Sequence, residues 1–215
     1  ELWQIVGFLE KFGIGAQNSK KVYEMLGKDA VSQIEQNPYI LLDITYGVDF
    51  NKIDKMAMDL GIAVNDIKRI ESAIKYSLTL SSNNGHTCVI KENLIKFVKD
   101  LLNVKEEDIE ETLINLNSQE KVIMEEQEEH IWVYLNTYYF AEKFIAQRII
   151  ALNKADNLKK IKNFKAKFKI IEEASNIFLS QKQKEAIEAV NENNVCVITG
   201  GPGTGKTTII KFIID

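Results

Sequence analysis

The 215-residue chain is 45% apolar with a net charge of −4, enough apolar material to fill real cores and too acidic for a surface that grips nucleic acid everywhere. Cys88 and Cys196 are too few and too far apart for a disulfide framework or a paired-cysteine metal site, and the longest apolar runs are strand-sized, far short of a membrane span. No signal-peptide pattern opens the sequence, so a reducing cytoplasmic location is expected, and a first residue of Glu1 is what a trimmed chain would show.

Charge is zoned along the chain. Residues 105–129 hold ten acids against two lysines, whereas residues 154–169 hold seven lysines against one acid. With two prolines and eleven glycines, and apolar spacing that is mostly helical, the chain reads as mainly α.

Residues 1–81 read as a tandem helix-hairpin-helix region. "EKFGIGAQNSKKVYEML" places Gly13-Ile14-Gly15 before a helix with Val22, Met25 and Leu26 inward, and "DITYGVDFNKIDKMAMDLGI" places Gly47-Val48-Asp49 before the next, 34 positions on. In the second helix Ile53, Met56, Ala57 and Leu60 form the apolar stripe, with Asn51 as the expected N-cap and Gly61 as the stop. Glycines at Gly13, Gly15 and Gly47 let the backbone turn tightly and expose amide N–H groups at a helix start, where a DNA phosphate can dock without side-chain charge. They also serve a plain tight turn between packed helices. Asp49 replaces the second glycine of the second hairpin and makes its phosphate contact the weaker of the two. Nine basic and eleven acidic residues in 1–80 give no long-range pull on DNA.

The next helix carries Ile67, Ile70, Ile74 and Leu78 on one face. Residues 82–153 then read as a winged-helix-like unit: a helix with Leu94, Phe97, Val98, Leu101 and Leu102 inward, a second near 106–117, and a β-hairpin over 121–135 in which "KVIMEE" and "HIWVYL" flank the polar turn "QEEH". Glu125, Glu126, Glu128 and Glu129 are expected at the wing tip, where they would repel phosphates, so packing or protein contact is favoured over DNA contact. Ala141, Phe144, Ile145, Ile149 and Leu152 mark a further helix. Residues 154–178 form a basic helical linker with Ile161, Phe164, Phe168 and Ile171 at helical spacing. Its Lys159, Lys160, Lys162 and Lys165 either line a DNA path or form a solvated face.

Residues 179–215 end in "GGPGTGKT", a full G-x-x-x-x-G-K-[ST] match between an apolar strand at 195–199 and a helix. The backbone of such a loop and the positive end of its helix cradle a β-phosphate, Lys206 reaches the β and γ phosphates of ATP, and Thr207 ligates Mg²⁺. Gln183, 23 residues before Lys206, has two readings. It can present its amide to an adenine edge, or it can turn back to Ser180 in a capping box. The acid, water-positioning residue and arginine that hydrolysis needs do not follow within residues 206–215. The strand at 195–199 is built for a parallel sheet whose neighbours are missing, so the last 20 or so residues are expected to be disordered, mispaired or non-natively packed.

In order, "FGIGAQNSKKVYEMLGKDAVSQIEQNPYILL", "GVDFNKIDKMAMDLGI", "GHTCV", "VYLNTYYFAEKFIAQRI", "LSQKQKEAI" and "GGPGTGKTT" make the chain resemble the N-terminal part of a RecD-like DNA helicase, of the longer kind named exodeoxyribonuclease V alpha chain. The resemblance implies ATP-driven 5′ to 3′ translocation on single-stranded or forked DNA in recombination and repair. It also implies that the helix-hairpin-helix region is an accessory domain before a RecA-like α/β motor domain, of which only the truncated start is present. By that matching Gln183 is the adenine-reading glutamine, and Gly200, Gly201, Pro202, Gly203, Thr204, Gly205, Lys206, Thr207 and Thr208 form the nucleotide loop. The rival reading is a protein-interaction module that docks a repair partner and never touches DNA. A small kinase or GTPase with a helical prefix lacks the length it needs after Thr207.

Overall fold

A computed structural model describes residues 1–156, 160, 161 and 163–214, with the backbone alone at Lys165. The chain divides into two compact units, Glu1–Phe140 and Ala141–Asp215.

The first unit opens with α1 (Leu2–Glu10), α2 (Ala16–Leu26), α3 (Ala30–Gln36), α4 (Leu41–Ile44), α5 (Phe50–Asp59) and α6 (Ile67–Asn83), with single 3-10 turns at Gly27–Asp29 and Pro38–Ile40. The α5 stripe is as the spacing predicts, with Ile53, Met56 and Ala57 buried. Its cap is not: Asp49, rather than Asn51, is the N-cap and accepts from the Lys52 amide at 2.9 Å, because the helix starts two residues earlier, at Phe50. Three expected core residues lie outside. Met25 at the end of α2, Ile67 at the first position of α6 and Phe97 on the flank of the next helix are all exposed, because a helix end or flank extends past the neighbour it packs on.

After α6 come β1 (Cys88–Ile90), α7 (Lys91–Leu102), α8 (Glu106–Ser118), β2 (Val122–Gln127) and β3 (His130–Leu135). Leu94, Ile95, Val98 and Leu102 of α7 and Ile109, Leu113 and Leu116 of α8 are buried. Asn103, in the left-handed region at φ 52, ends α7 and turns the chain into α8. The expected hairpin is present, with Val122 opposite Leu135 and Gln127 opposite His130, and a two-residue Glu128–Glu129 turn. It belongs to a three-stranded antiparallel sheet of order β1-β3-β2, whose first strand the sequence reading did not anticipate. Glu125 lies within β2 and accepts from the Tyr139 hydroxyl, leaving Glu128 and Glu129 at the tip. One continuous core runs from Ile5 in α1 to Val133 in β3.

The second unit holds most of α9 (Asn136–Asn153), then α10 (Phe164–Ser175), α11 (Gln181–Glu192) and α12 (Lys206–Ile214). No side chain of α9 is buried. Leu179, Ile187, Ile209 and Phe212 form a small core against which Phe164, Phe168 and Ile171 of α10 pack. Glu172 clasps this unit: it accepts from the Leu179 amide at 2.8 Å and pairs with Lys184 at 3.0 Å. Residues 195–199 make no strand pairing among the described residues, and Val197 is 82% exposed. Of the outcomes expected for the end of the chain, residues 206–214 show a packed one, with Ile209 and Phe212 anchoring α12. Among the described residues no helix is long and apolar enough to cross a membrane.

Candidate nucleic-acid and nucleotide sites

Both glycine hairpins fall in the first unit. Gly13 and Gly47 each adopt φ +68, a left-handed conformation that glycine enters without strain. The Gly13 amide donates to Glu10 O at 2.9 Å and the Ile14 amide to Leu9 O at 3.0 Å, closing α1 in a tight C-terminal turn. Ile14 is fully buried, so its side chain pins the turn to the core and only its backbone is available to a ligand.

The two hairpins then diverge. Gly15 is the N-cap of α2 in extended conformation, with no side chain capping the helix, and the amides of Gly15, Ala16 and Gln17 meet no acceptor among the described residues. At α5 the Asp49 carboxylate already occupies that place. Both helix starts leave their first amides without acceptors among the described residues, and the hairpins differ in that the second sets the Asp49 carboxylate over its own.

Each hairpin is also held by the other repeat. Lys52, in the first turn of α5, donates its ammonium to Gly13 O at 2.6 Å, and a Cβ added at Gly13 would lie 3.2 Å from Lys52 Nζ. In return, Asn18 of α2 donates through Nδ2 to Tyr46 O at 3.1 Å and accepts from the Tyr46 amide at 3.0 Å. Lys21 lies 3.3 Å from the centroid of the Tyr46 ring, and its hydrogen bond and then its charge hold the Tyr46 phenol below its ordinary pKa. Lys52 thus stands beside the first hairpin, a charge that the sequence reading did not place there. No short-range pattern marks this, since the pair is 39 residues apart in the chain.

Behind the hairpins lies a buried polar cluster. Arg69 of α6 grips Asp54 of α5 through two bonds of 2.8 Å, and its Nη1 donates to Val64 O at 2.6 Å and Leu102 O at 3.3 Å. Tyr39 donates to Asp54 at 2.6 Å. Burial and the Asp54 carboxylate push the Tyr39 pKa far up, keeping the phenol protonated, and Asp54 raises that of Arg69.

Of the candidate lysines, Lys160 is exposed. Lys159 and Lys162 lie outside the described residues, as does the Lys165 side chain.

In the second unit the Gly200–Thr208 loop runs into α12. Gly203 and Gly205 are left-handed at φ +76 and +83. A Cβ at Gly200 would come within 2.6 Å of Thr204 Oγ1, and one at Gly205 would collide with Gln183 Nε2, so a side chain at either position would displace one of these groups. Lys206 donates to Gly200 O at 2.6 Å and Gly201 O at 2.7 Å, and Thr204 Oγ1 donates to Gly201 O at 2.9 Å. Thr207 is exposed at the start of α12. Gln183 completes the capping box with Ser180, accepting from the Ser180 amide at 2.8 Å. Its Nε2 also donates to Thr204 O at 3.2 Å. The same side chain therefore caps α11 and touches the loop. No group of three or more metal-ligating side chains occurs among the described residues.

Comparison with known proteins matches two stretches of the chain. Residues 1–88 match the family model described as the ATP-dependent RecD2 DNA helicase HHH domain, and residues 183–215 match an AAA domain. The chain is 23% identical over 99% of its length to the ATP-dependent RecD2 DNA helicase of Deinococcus radiodurans, covering 30% of that protein. It is 39% identical over 38% of its length to the RecBCD enzyme subunit RecD of Buchnera aphidicola subsp. Schizaphis graminum, covering 13% of that protein. The chain thus spans less than a third of each relative.

Proposed function

We propose, from the matches of residues 1–88 to the RecD2 DNA helicase HHH domain and of residues 183–215 to an AAA domain, that the chain is the accessory DNA-interaction region and first nucleotide loop of an ATP-dependent 5′–3′ helicase acting in recombination and repair. The observation that carries the DNA part is the uncapped start of α2 behind Gly13 and Gly15, with Lys52 beside it. That arrangement suits one backbone phosphate and carries no base readout. Gly47 serves mainly as a turn, since the Asp49 carboxylate sets a negative charge at that helix start.

The order α6-β1-α7-α8-β2-β3 with sheet order β1-β3-β2 supports a winged-helix reading of the second half of this unit. Its first-turn acids on α8, Glu106, Glu107 and Asp108, and the exposed Ile114 favour protein contact there over DNA.

The loop residues fit a nucleoside triphosphate. Close-wound glycines leave the backbone open to phosphate, Lys206 is the cation that would turn from the loop carbonyls to the β and γ oxygens, and Thr207 would hold Mg²⁺. ATP would supply the energy for translocation in the whole protein. These 215 residues by themselves carry no acid on a second strand for the metal and should not turn ATP over. A phosphate-release assay with single-stranded DNA checks this, and robust turnover would refute it.

Fluorescence anisotropy with labelled single-stranded and forked DNA at low and moderate salt tests the main reading. Salt-sensitive binding lost on Gly13 and Gly15 substitution is expected. Absence of binding at low salt would instead favour a module that only docks repair proteins.

A further inference from the structure

We infer that Gln183 is a positioning residue for the phosphate loop as well as a contact for the base, so that one carboxamide links adenine occupancy to the orientation of the Thr204–Gly205 peptide. The inference rests on the nucleotide-site reading above.

The geometry is specific. Oε1 of Gln183 takes the Ser180 amide at 2.8 Å and Nε2 gives a hydrogen bond to Thr204 O at 3.2 Å. A trans peptide is planar, with its C=O and N–H pointing opposite ways. Drawing the Thr204 carbonyl toward α11 therefore turns the Gly205 N–H away from Gln183, at the residue that leads into α12. Gly205 accommodates this in two ways: its φ of +83 suits glycine, and any Cβ there would occupy the Gln183 amide's place.

A primary carboxamide has two donor hydrogens and two acceptor lone pairs. The two bonds in the structure use one of each. One donor and one acceptor remain, which is what the edge of adenine requires. The capping box and base recognition, alternatives when read from sequence, are chemically compatible, and the loop contact joins them.

The test is calorimetric titration of the 215-residue chain with ATP and, separately, with inorganic tripolyphosphate, which has phosphates and no base, both with Mg²⁺. Loss of one neutral hydrogen bond that preorganises a donor should weaken tripolyphosphate binding about 5-fold in Gln183→Ala. ATP should weaken further, since the base contact goes too. Gln183→Glu cannot donate to Thr204 O and should be at least as weak. Ser180→Ala removes the cap from the other end while leaving the Gln183 amide in place, and should leave tripolyphosphate within about 2-fold. If Gln183→Ala weakens ATP and leaves tripolyphosphate unchanged, Gln183 reads only the base and the inference is overturned. It is equally overturned if Ser180→Ala weakens tripolyphosphate as much as Gln183→Ala, because helix-end disruption then explains the effect. A wild-type chain that binds neither ligand would remove the nucleotide-site reading itself, and the inference with it.

Discussion

Replacing Asp54 by Ala strands the Arg69 guanidinium in the first unit. The Arg69 side chain is 7% exposed and Asp54 15%, so neither can recover full hydration where it stands. Arg69 would keep the carbonyls of Val64 and Leu102 but lose both carboxylate bonds, and the Tyr39 phenol would lose its acceptor. Removing one partner of a buried pair typically costs about 3–5 kcal/mol. The two retained carbonyls and the partial exposure of Asp54 put the expected loss near the lower end, about 3 kcal/mol. Asp54→Leu combined with Arg69→Met should cost clearly less than the sum of the single changes, because no charge is left uncompensated. Urea denaturation followed by tryptophan emission measures this in the right place, since Trp3 and Trp132 both lie in the first unit. A loss under about 1 kcal/mol for Asp54→Ala, or strict additivity in the double variant, would refute the assignment of this cluster as a charge pair sealed from water.

Gly15→Asp should copy the second hairpin's cap into the first. No atom lies within 4 Å of the added Cβ, so thermal stability should hold or rise slightly while DNA affinity in the anisotropy assay falls several-fold; unchanged affinity would exclude the α2 start as the phosphate site. Lys52→Met should lower DNA affinity about 3-fold and flatten its salt dependence, read from the slope of log affinity against log salt. Glu172 is held below its ordinary value, first by the Leu179 amide and then by Lys184. Its contribution to the second unit is therefore present above the unfolded carboxylate value and disappears as pH falls through the lower, folded one. Glu172→Gln should be less stable than wild type at pH 7 and converge with it in acid, by circular-dichroism melts; parallel curves from neutral pH into acid would contradict that linkage.

Helices were legible wherever one apolar stripe met one neighbour, as in α5, α7 and α8, and the wing hairpin announced itself by β-branched runs around a polar turn. Less was visible where structure depends on distant partners. Strand β1 is three residues whose ladder partner lies more than forty positions away, a signal that local alternation cannot carry. The reverse holds at 195–199, whose β propensity is strong but which finds no neighbour among the described residues to pair with. Gly13 and Gly47 were readable because positive φ leaves a mark in composition, whereas Lys52 and Asn18 look like ordinary surface residues until the repeats come together. Gln183 was readable as a cap, which the Ser180 bonds bear out, whereas its contact to Thr204 O, 21 residues away, left no local signal.

The exchange of braces between the repeats bears on how this region can be dissected. Lys52 steadies a turn that belongs to the first repeat, and Asn18 steadies one that belongs to the second. Excising either repeat would remove the support of the one that stays. The smallest piece worth expressing on its own is thus the duplicated pair, and the duplication is less two copies of a tool than two halves of a single jig.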